Sequence, residues 1–222
     1  MHALGAELQR QGAASYALGP RIIVLDHLIR RSDPVLRHAV PLMQELVATT
    51  GLDCVATALH GAPGSAQMVD IHREYGAQPA SLSYGRGRPR PLFLGAAPKA
   101  ALAQLPPAAL HRLFDARLAE LQAAGLPTDW PAFRRVYARI RKAGHYVSNG
   151  ELEPNLAAVA APLMLADGRV AGALSLAKSA QLGHEHDGDR DGTSAPAGAV
   201  HGARRDAVRN PAGREVHTMT RR

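Results

Sequence analysis

The chain has 222 residues, 26 Lys and Arg against 19 Asp and Glu, a formal charge of +7 and a single cysteine. That length can bury a sizeable core in one or two domains. One cysteine, Cys54, rules out an internal disulfide framework and suits a reducing cytoplasm. No apolar run approaches the roughly 18 residues a membrane span needs, the first fifteen residues hold no secretory h-region, and a positive charge alone names no partner.

In chain order, Ile22–Arg30 is apolar and uninterrupted and reads as a helix. Ser32 and Asp33 before Pro34 form a cap and first turn. The helix that follows, Val35–Thr50, stripes Leu36, Ala39, Val40, Met43, Leu46 and Val47 on one side, is kinked at Pro41 and stops at Gly51. The period then falls to two: "DCVATALHG" and "AQMVDIHREY" read as strands around "GAPGS", with "ASLSYG" as a third. Helices return over Ala96–Gln104, Pro107–Ala124 and Pro131–Ala143. The last turns Phe133, Val136, Tyr137 and Ile140 inward and keeps Arg134, Arg135, Arg139, Arg141 and Lys142 wet. "GHYVSN" is a short strand. Two apolar strands around "ADGR", within residues 155–179, make a hairpin central to the sheet, because strands so apolar are covered on both faces. The order ααβββαααβββ gives one α+β domain, an antiparallel sheet with helices packed on it. Residues 183–222 contain no Leu, Ile, Phe, Tyr or Trp and seven arginines against six acids; such a segment cannot offset its ordering entropy and reads as a disordered polar tail.

Catalytic patterns are lacking. Cys54 sits inside a strand pattern with no base nearby and reads as a buried, inert thiol. The histidines form no HExxH pair; His184 and His186 in the tail could bind a metal only adventitiously. No GxSxG elbow or phosphate-loop glycine pattern occurs. Arg86, Arg88 and Arg90 alternate without interleaved aromatics, which is poor for stacking single strands, and too few residues precede Pro20 for a helix-turn-helix. What remains is a pocket. Small residues gather at the start of the Ala96 helix and along the last two strands, at Ala157, Ala158, Ala160, Ala161, Gly172, Ala173, Ser175 and Ala177. They leave room above a sheet, or they simply let helix and sheet pack closely.

The motifs "YALGPR", "ELVATTG", "GRPRPLFLGAAPKAALAQLP" and "RIRKAGHYVSNGELEPNLAAVAAPLMLADGRVAGALSL" stand in an order and spacing that resembles the effector-binding domain of the isocitrate lyase regulator (IclR) family of bacterial transcription factors, over Tyr16 to Leu182. The resemblance implies a profilin- or GAF-like antiparallel sheet flanked by helices, with residues 1–20 a linker remnant, 21–182 the effector-binding domain and 183–222 the tail. It implies a non-enzymatic sensor of a small organic acid, with Ala96 and Ala97 offering backbone N–H groups to the carboxylate, Ser148, Leu156 and Ala158 lining the wall, and Ser175 supplying a hydroxyl. Lys99 closes structural contacts in that reading. The sequence departs from the family at Phe93 and Gly95, where His and Thr are usual, and at Pro98 and Asn155, where Gly is usual. The resemblance implies no metal and no cofactor, a cytoplasmic homo-oligomer (dimer or tetramer) with no membrane partner, and DNA contact only through a winged helix-turn-helix that the chain lacks. The alternative is a stand-alone dimerising module that modulates full-length relatives without a ligand of its own. A GAF-like sulfoxide reductase would need more than one cysteine.

Overall fold

The computed structural model describes residues 8–11, 15–62 and 65–179. The expected tail, with His184 and His186, lies outside them. The chain divides into two compact units, residues 1–41 and residues 42–222.

In the first unit, β1 (Leu8–Gln11) and β2 (Ser15–Leu18) pair antiparallel, and α1 spans Arg21–Ser32. Helix α2 (Pro34–Thr50) starts where the Ser-Asp-Pro sequence predicts: the Asp33 carboxylate accepts the Val35 N–H at 2.8 Å and the Leu36 N–H at 3.3 Å. The helix runs on through Pro41 and ends at Gly51, whose φ of 70° suits a glycine terminator. Of the expected stripe, Leu36, Ala39 and Met43 are buried.

The second unit is built on a six-stranded antiparallel sheet of order β5-β4-β3-β8-β7-β6. Its strands are β3 (Asp53–His60), β4 (Gln67–Glu74), β5 (Pro89–Arg90), β6 (Tyr146–Asn149), β7 (Leu156–Met164) and β8 (Val170–Ser179). The β7–β8 hairpin expected from its apolar sequence is present, and β8 lies centrally, against β3. "ASLSYG" is not a strand. Side chains capture its backbone instead: Asp53 takes the Ala80 N–H, Arg73 donates to the Ala80 carbonyl, Glu153 takes the Ser83 N–H, and Arg88 donates to the Ser83 carbonyl. A backbone so engaged has no ladder to offer, and the pairing with β4 falls to Pro89–Arg90.

Helix α3 (Ala96–Leu102) is buried along its whole length. Its alanines bring the helix axis close to the sheet, where Ala160 and Ala173 are equally small, so one cluster joins α3 to β7, β8 and Met68 of β4. The helix expected over Pro107–Ala124 is two: α4 (Pro107–Ala116) and α5 (Leu118–Ala123), separated at Arg117, whose φ of −132° and ψ of 28° leave the helical region. Leu121 of α5 is fully buried like Leu113 of α4, so the apolar pattern reads straight through the break. Helix α6 (Trp130–Ala143) is capped by Asp129 and stopped by Gly144 at φ 73°. Its Phe133, Tyr137 and Ile140 enter the core as expected, with the Phe133 and Tyr137 rings 4.6 Å apart. Arg141 is exposed but not idle: its guanidinium donates to the Ala103 and Leu105 carbonyls beyond the end of α3.

Candidate functional site

Register decides which side chains share a face, since residues directly opposite in an antiparallel pair point the same way. Ser148 lies opposite Ala158, Ala158 opposite Ala177, Leu156 opposite Ser179, and Ser175 opposite both Val55 and Ala160. Ser148, Leu156, Ala158 and Ser175 therefore occupy one face, and it is the face on which α3 lies. Ala96 and Ala97 open that helix, both buried. All six residues singled out from the sequence thus come to one side of the sheet. Ser148 and Ser175 are buried hydroxyls there, and Ser175 Oγ donates to the Val55 carbonyl over a long 3.4 Å. Ala158 touches two clusters, the main core and a smaller one in which Leu156 and Ala177 meet Ala80, Leu82 and Leu152.

The polar centre of this region was not visible in the sequence. Lys99 projects from α3 into the interior, and its Nζ donates to Glu151 Oε2 at 2.6 Å and to the Tyr146 hydroxyl at 3.2 Å. Tyr146 in turn donates to Glu151 Oε1 at 2.7 Å, and Glu151 Oε2 also accepts the Gly95 N–H at 3.1 Å. Lys99 thus closes internal contacts, as expected. Tyr137 stands nearby, fully buried, its hydroxyl without a hydrogen-bond partner. Burial, with Tyr146 and Glu151 adding to it, pushes the Tyr137 phenol well above its ordinary value and keeps it neutral. A lysine buried in an apolar helix implies a counter-charge somewhere; nothing local in the sequence says that it comes from the turn after β6.

Burial raises the Glu151 pKa, but the hydrogen bonds from Lys99 and Tyr146, the Lys99 charge and the Gly95 N–H together overcome it and hold the carboxyl below its ordinary 4.5. A carboxyl depressed in the fold stabilises it above the unfolded-state value, and that stabilisation is lost as pH falls through the folded value. Glu151→Gln is therefore expected to flatten the acid limb of a stability-versus-pH curve below pH 4.5, as measured by urea midpoints; an unchanged limb would place the pairing outside the folded ensemble.

The arginines of the 86–90 stretch serve the chain itself. Arg90 makes a two-pronged bond to Asp70 at 2.5 and 2.7 Å, and Thr57 donates to the same carboxylate at 3.2 Å. Arg88 reaches the Ser83 carbonyl and Arg86 the Ile71 carbonyl. Cys54 is fully buried, and burial, with Glu74 and Asp53 adding to it, pushes its thiol up to about 12, which leaves it unreactive. Among the described residues no three His, Cys, Asp or Glu side chains gather in a way that could hold a metal ion.

A family model described as bacterial transcriptional regulator IclR C-terminal matches residues 28–190. The chain belongs to the IclR family. The matched part is its C-terminal effector-binding domain, which is non-enzymatic. Solved structures agree on the fold. An IclR transcriptional regulator from Alicyclobacillus acidocaldarius superposes with a TM-score of 0.65 at 23% identity, over 91% of this chain and 77% of that one. The Thermotoga maritima IclR gives 0.64 at 20% identity, over 79% and 70%. Among curated proteins none matches. The sheet with its flanking helices is thus the α+β, GAF-like architecture of the IclR effector domain. In that frame Phe93, read from the sequence as a departure from the family, is a core residue 2% exposed, its ring edge-on to Phe133 at 6.4 Å. Gly95 holds φ at 82°, a conformation most side chains resist.

Proposed function

We propose that this domain senses a small organic carboxylate with an apolar body, in the cytoplasm and as a homo-oligomer, and that binding controls the DNA affinity of a regulator whose DNA contacts are made by a winged helix-turn-helix. The observation that carries this reading is the convergence of Ala96, Ala97, Ser148, Leu156, Ala158 and Ser175 on one side of the sheet in a chain of this family. The wall is apolar and small-residued, and its hydroxyls are few. Ser175 is the side chain best placed to orient the acid, because its bond to Val55 is long and exchangeable.

Thermal-shift screening with aromatic and aliphatic acids tests the reading, since a ligand of the native state raises the melting temperature by mass action. An acid that shifts the wild type should bind Ser175→Ala with roughly 1 kcal/mol less affinity, the usual loss for one hydrogen bond. Ala158→Phe should abolish the shift and leave the protein folded. No shift with any carboxylate up to millimolar concentration would favour the second reading, a dimerising module without a ligand. That reading has its own support in α1, which exposes Ile23, Val24, Leu28 and Ile29 by half or more of their area.

A further inference from the structure

The proposed site is occupied by the chain itself. The Glu151 carboxylate sits on the Gly95 N–H, the Lys99 ammonium and the Tyr146 hydroxyl. Next to it, Leu152 packs against the cluster of Ala80, Leu156 and Ala177, and its Cβ lies 3.4 Å from the position a Cβ on Gly95 would take. A carboxylate and an apolar body, adjacent on one turn, thus cover the face where an acid with an apolar body would bind. We propose that Glu151 and Leu152 are an internal stand-in for the effector, and that an effector binds by displacing the 150–155 turn, its carboxylate taking over Lys99 and its apolar body replacing Leu152. This rests on the organic-acid reading above.

The two halves of the ion pair are held unequally, and this makes exchange feasible. The Lys99 side chain is 6% exposed on a helix buried along its whole length, whereas that of Glu151 is 23% exposed on a turn between two strands. Breaking a buried pair outright is costly, because it strands a charge. Exchange does not break it: Lys99 keeps a carboxylate partner throughout, and Glu151 leaves for water, which solvates it. Three further bonds hold the turn: the Ser83 N–H donates to the Glu153 carboxylate, the Gly150 N–H to the Leu156 carbonyl and the Leu156 N–H to the Glu153 carbonyl. The Tyr137 hydroxyl, unpartnered beside the pair, supplies a donor that the resident carboxylate leaves unused. A specificity rule follows. Acetate can replace Glu151 but cannot replace Leu152, so an acid with an apolar body outcompetes it.

Calorimetry on the full chain, with benzoate and acetate as probes, reads the proposal directly. Removing an internal competitor raises the apparent affinity by the inverse of the open fraction, so if the turn is open about a tenth of the time, Glu151→Gln and Leu152→Ala should each bind benzoate about tenfold more tightly. Acetate should bind the wild type more weakly than benzoate. In the wild type, saturating benzoate should speed amide exchange at Ser83, Gly150 and Leu156, whose N–H groups are bonded to or within the turn, a readout that survives if a variant misfolds. Should the wild type bind benzoate but both variants bind it equally or more weakly, or should benzoate slow exchange in that turn, Glu151 builds the site rather than filling it; the displacement is then overturned while the sensing function stands. If neither the wild type nor the folded variants bind any acid, the sensing function and the displacement fail together.

Discussion

Gly172→Ala is expected to destabilise the domain by roughly 3 kcal/mol or more, the upper end for overpacking a close-packed interior. Gly172 lies in β8, between Ala58 of β3 and Leu163 of β7, at the centre of the sheet. A Cβ there would stand 1.8 Å from the Thr57 carbonyl oxygen and 2.9 Å from the Ala58 Cα. Both obstacles are backbone, so no rotamer change relieves them, and the β3–β8 ladder itself has to move. Gly168, in the turn between β7 and β8, is the control. It holds φ at 82° but has nothing within 4 Å of a built Cβ, so Gly168→Ala should cost only about 1 kcal/mol of backbone strain. Urea midpoints of the two variants should separate clearly; equal midpoints would mean that β8 is not seated against β3 at this register.

Asp53→Ala should cost about 3–5 kcal/mol, the range for removing one partner of a buried charged network. Asp53 is fully buried at the start of β3. It accepts from Arg73 at 2.5 Å, from the Gly76 N–H at 2.7 Å and from the Ala80 N–H at 2.8 Å. Truncation leaves a cation and two amides without their acceptor. Arg73 then has the Ala80 carbonyl and the Tyr75 ring in place of a carboxylate, and its Nε is already buried and unbonded. The damage should be local first: amide exchange should accelerate at Gly76 and Ala80, whose N–H groups Asp53 accepts. Asp53→Asn keeps one acceptor oxygen and should fall between wild type and alanine. A loss below 1 kcal/mol in Asp53→Ala, from denaturant unfolding, would contradict the network.

The contrast between these cases explains what the sequence discloses. Elements written in local patterns were readable: the β7–β8 hairpin from two apolar runs around "ADGR", α6 from its stripe of Phe133, Tyr137 and Ile140, and the start of α2 from Asp33 and Pro34. The face shared by Ser148, Leu156, Ala158 and Ser175 was readable once the family pattern fixed the strands. Features decided by partners far along the chain were not. Residues 80–85 alternate like a strand, yet their amides and carbonyls are taken by Asp53, Arg73, Arg88 and Glu153. Arg90 looks like a free cation until Asp70, 20 residues earlier, closes on it. Lys99 demands an anion, but Glu151 is 52 residues away on a turn whose sequence, "GELEPN", carries two acids. The break at Arg117 left no mark, because Leu113 and Leu121 keep the apolar pattern on either side of it.

An effector acid is expected on the face of β7 and β8 that α3 covers. A crystal structure of the full chain grown with benzoate tests it most directly. The carboxylate should lie within hydrogen-bonding distance of Lys99 or the Ala96–Ala97 amides, with the ring against Leu156 and Ala158 and Ser175 turned from the Val55 carbonyl toward the ligand. Benzoate bound only elsewhere, for instance in the basic groove of about 590 Å³ lined by Arg135, Val136, Arg139 and Lys142, with Ser175 still on Val55, would contradict it.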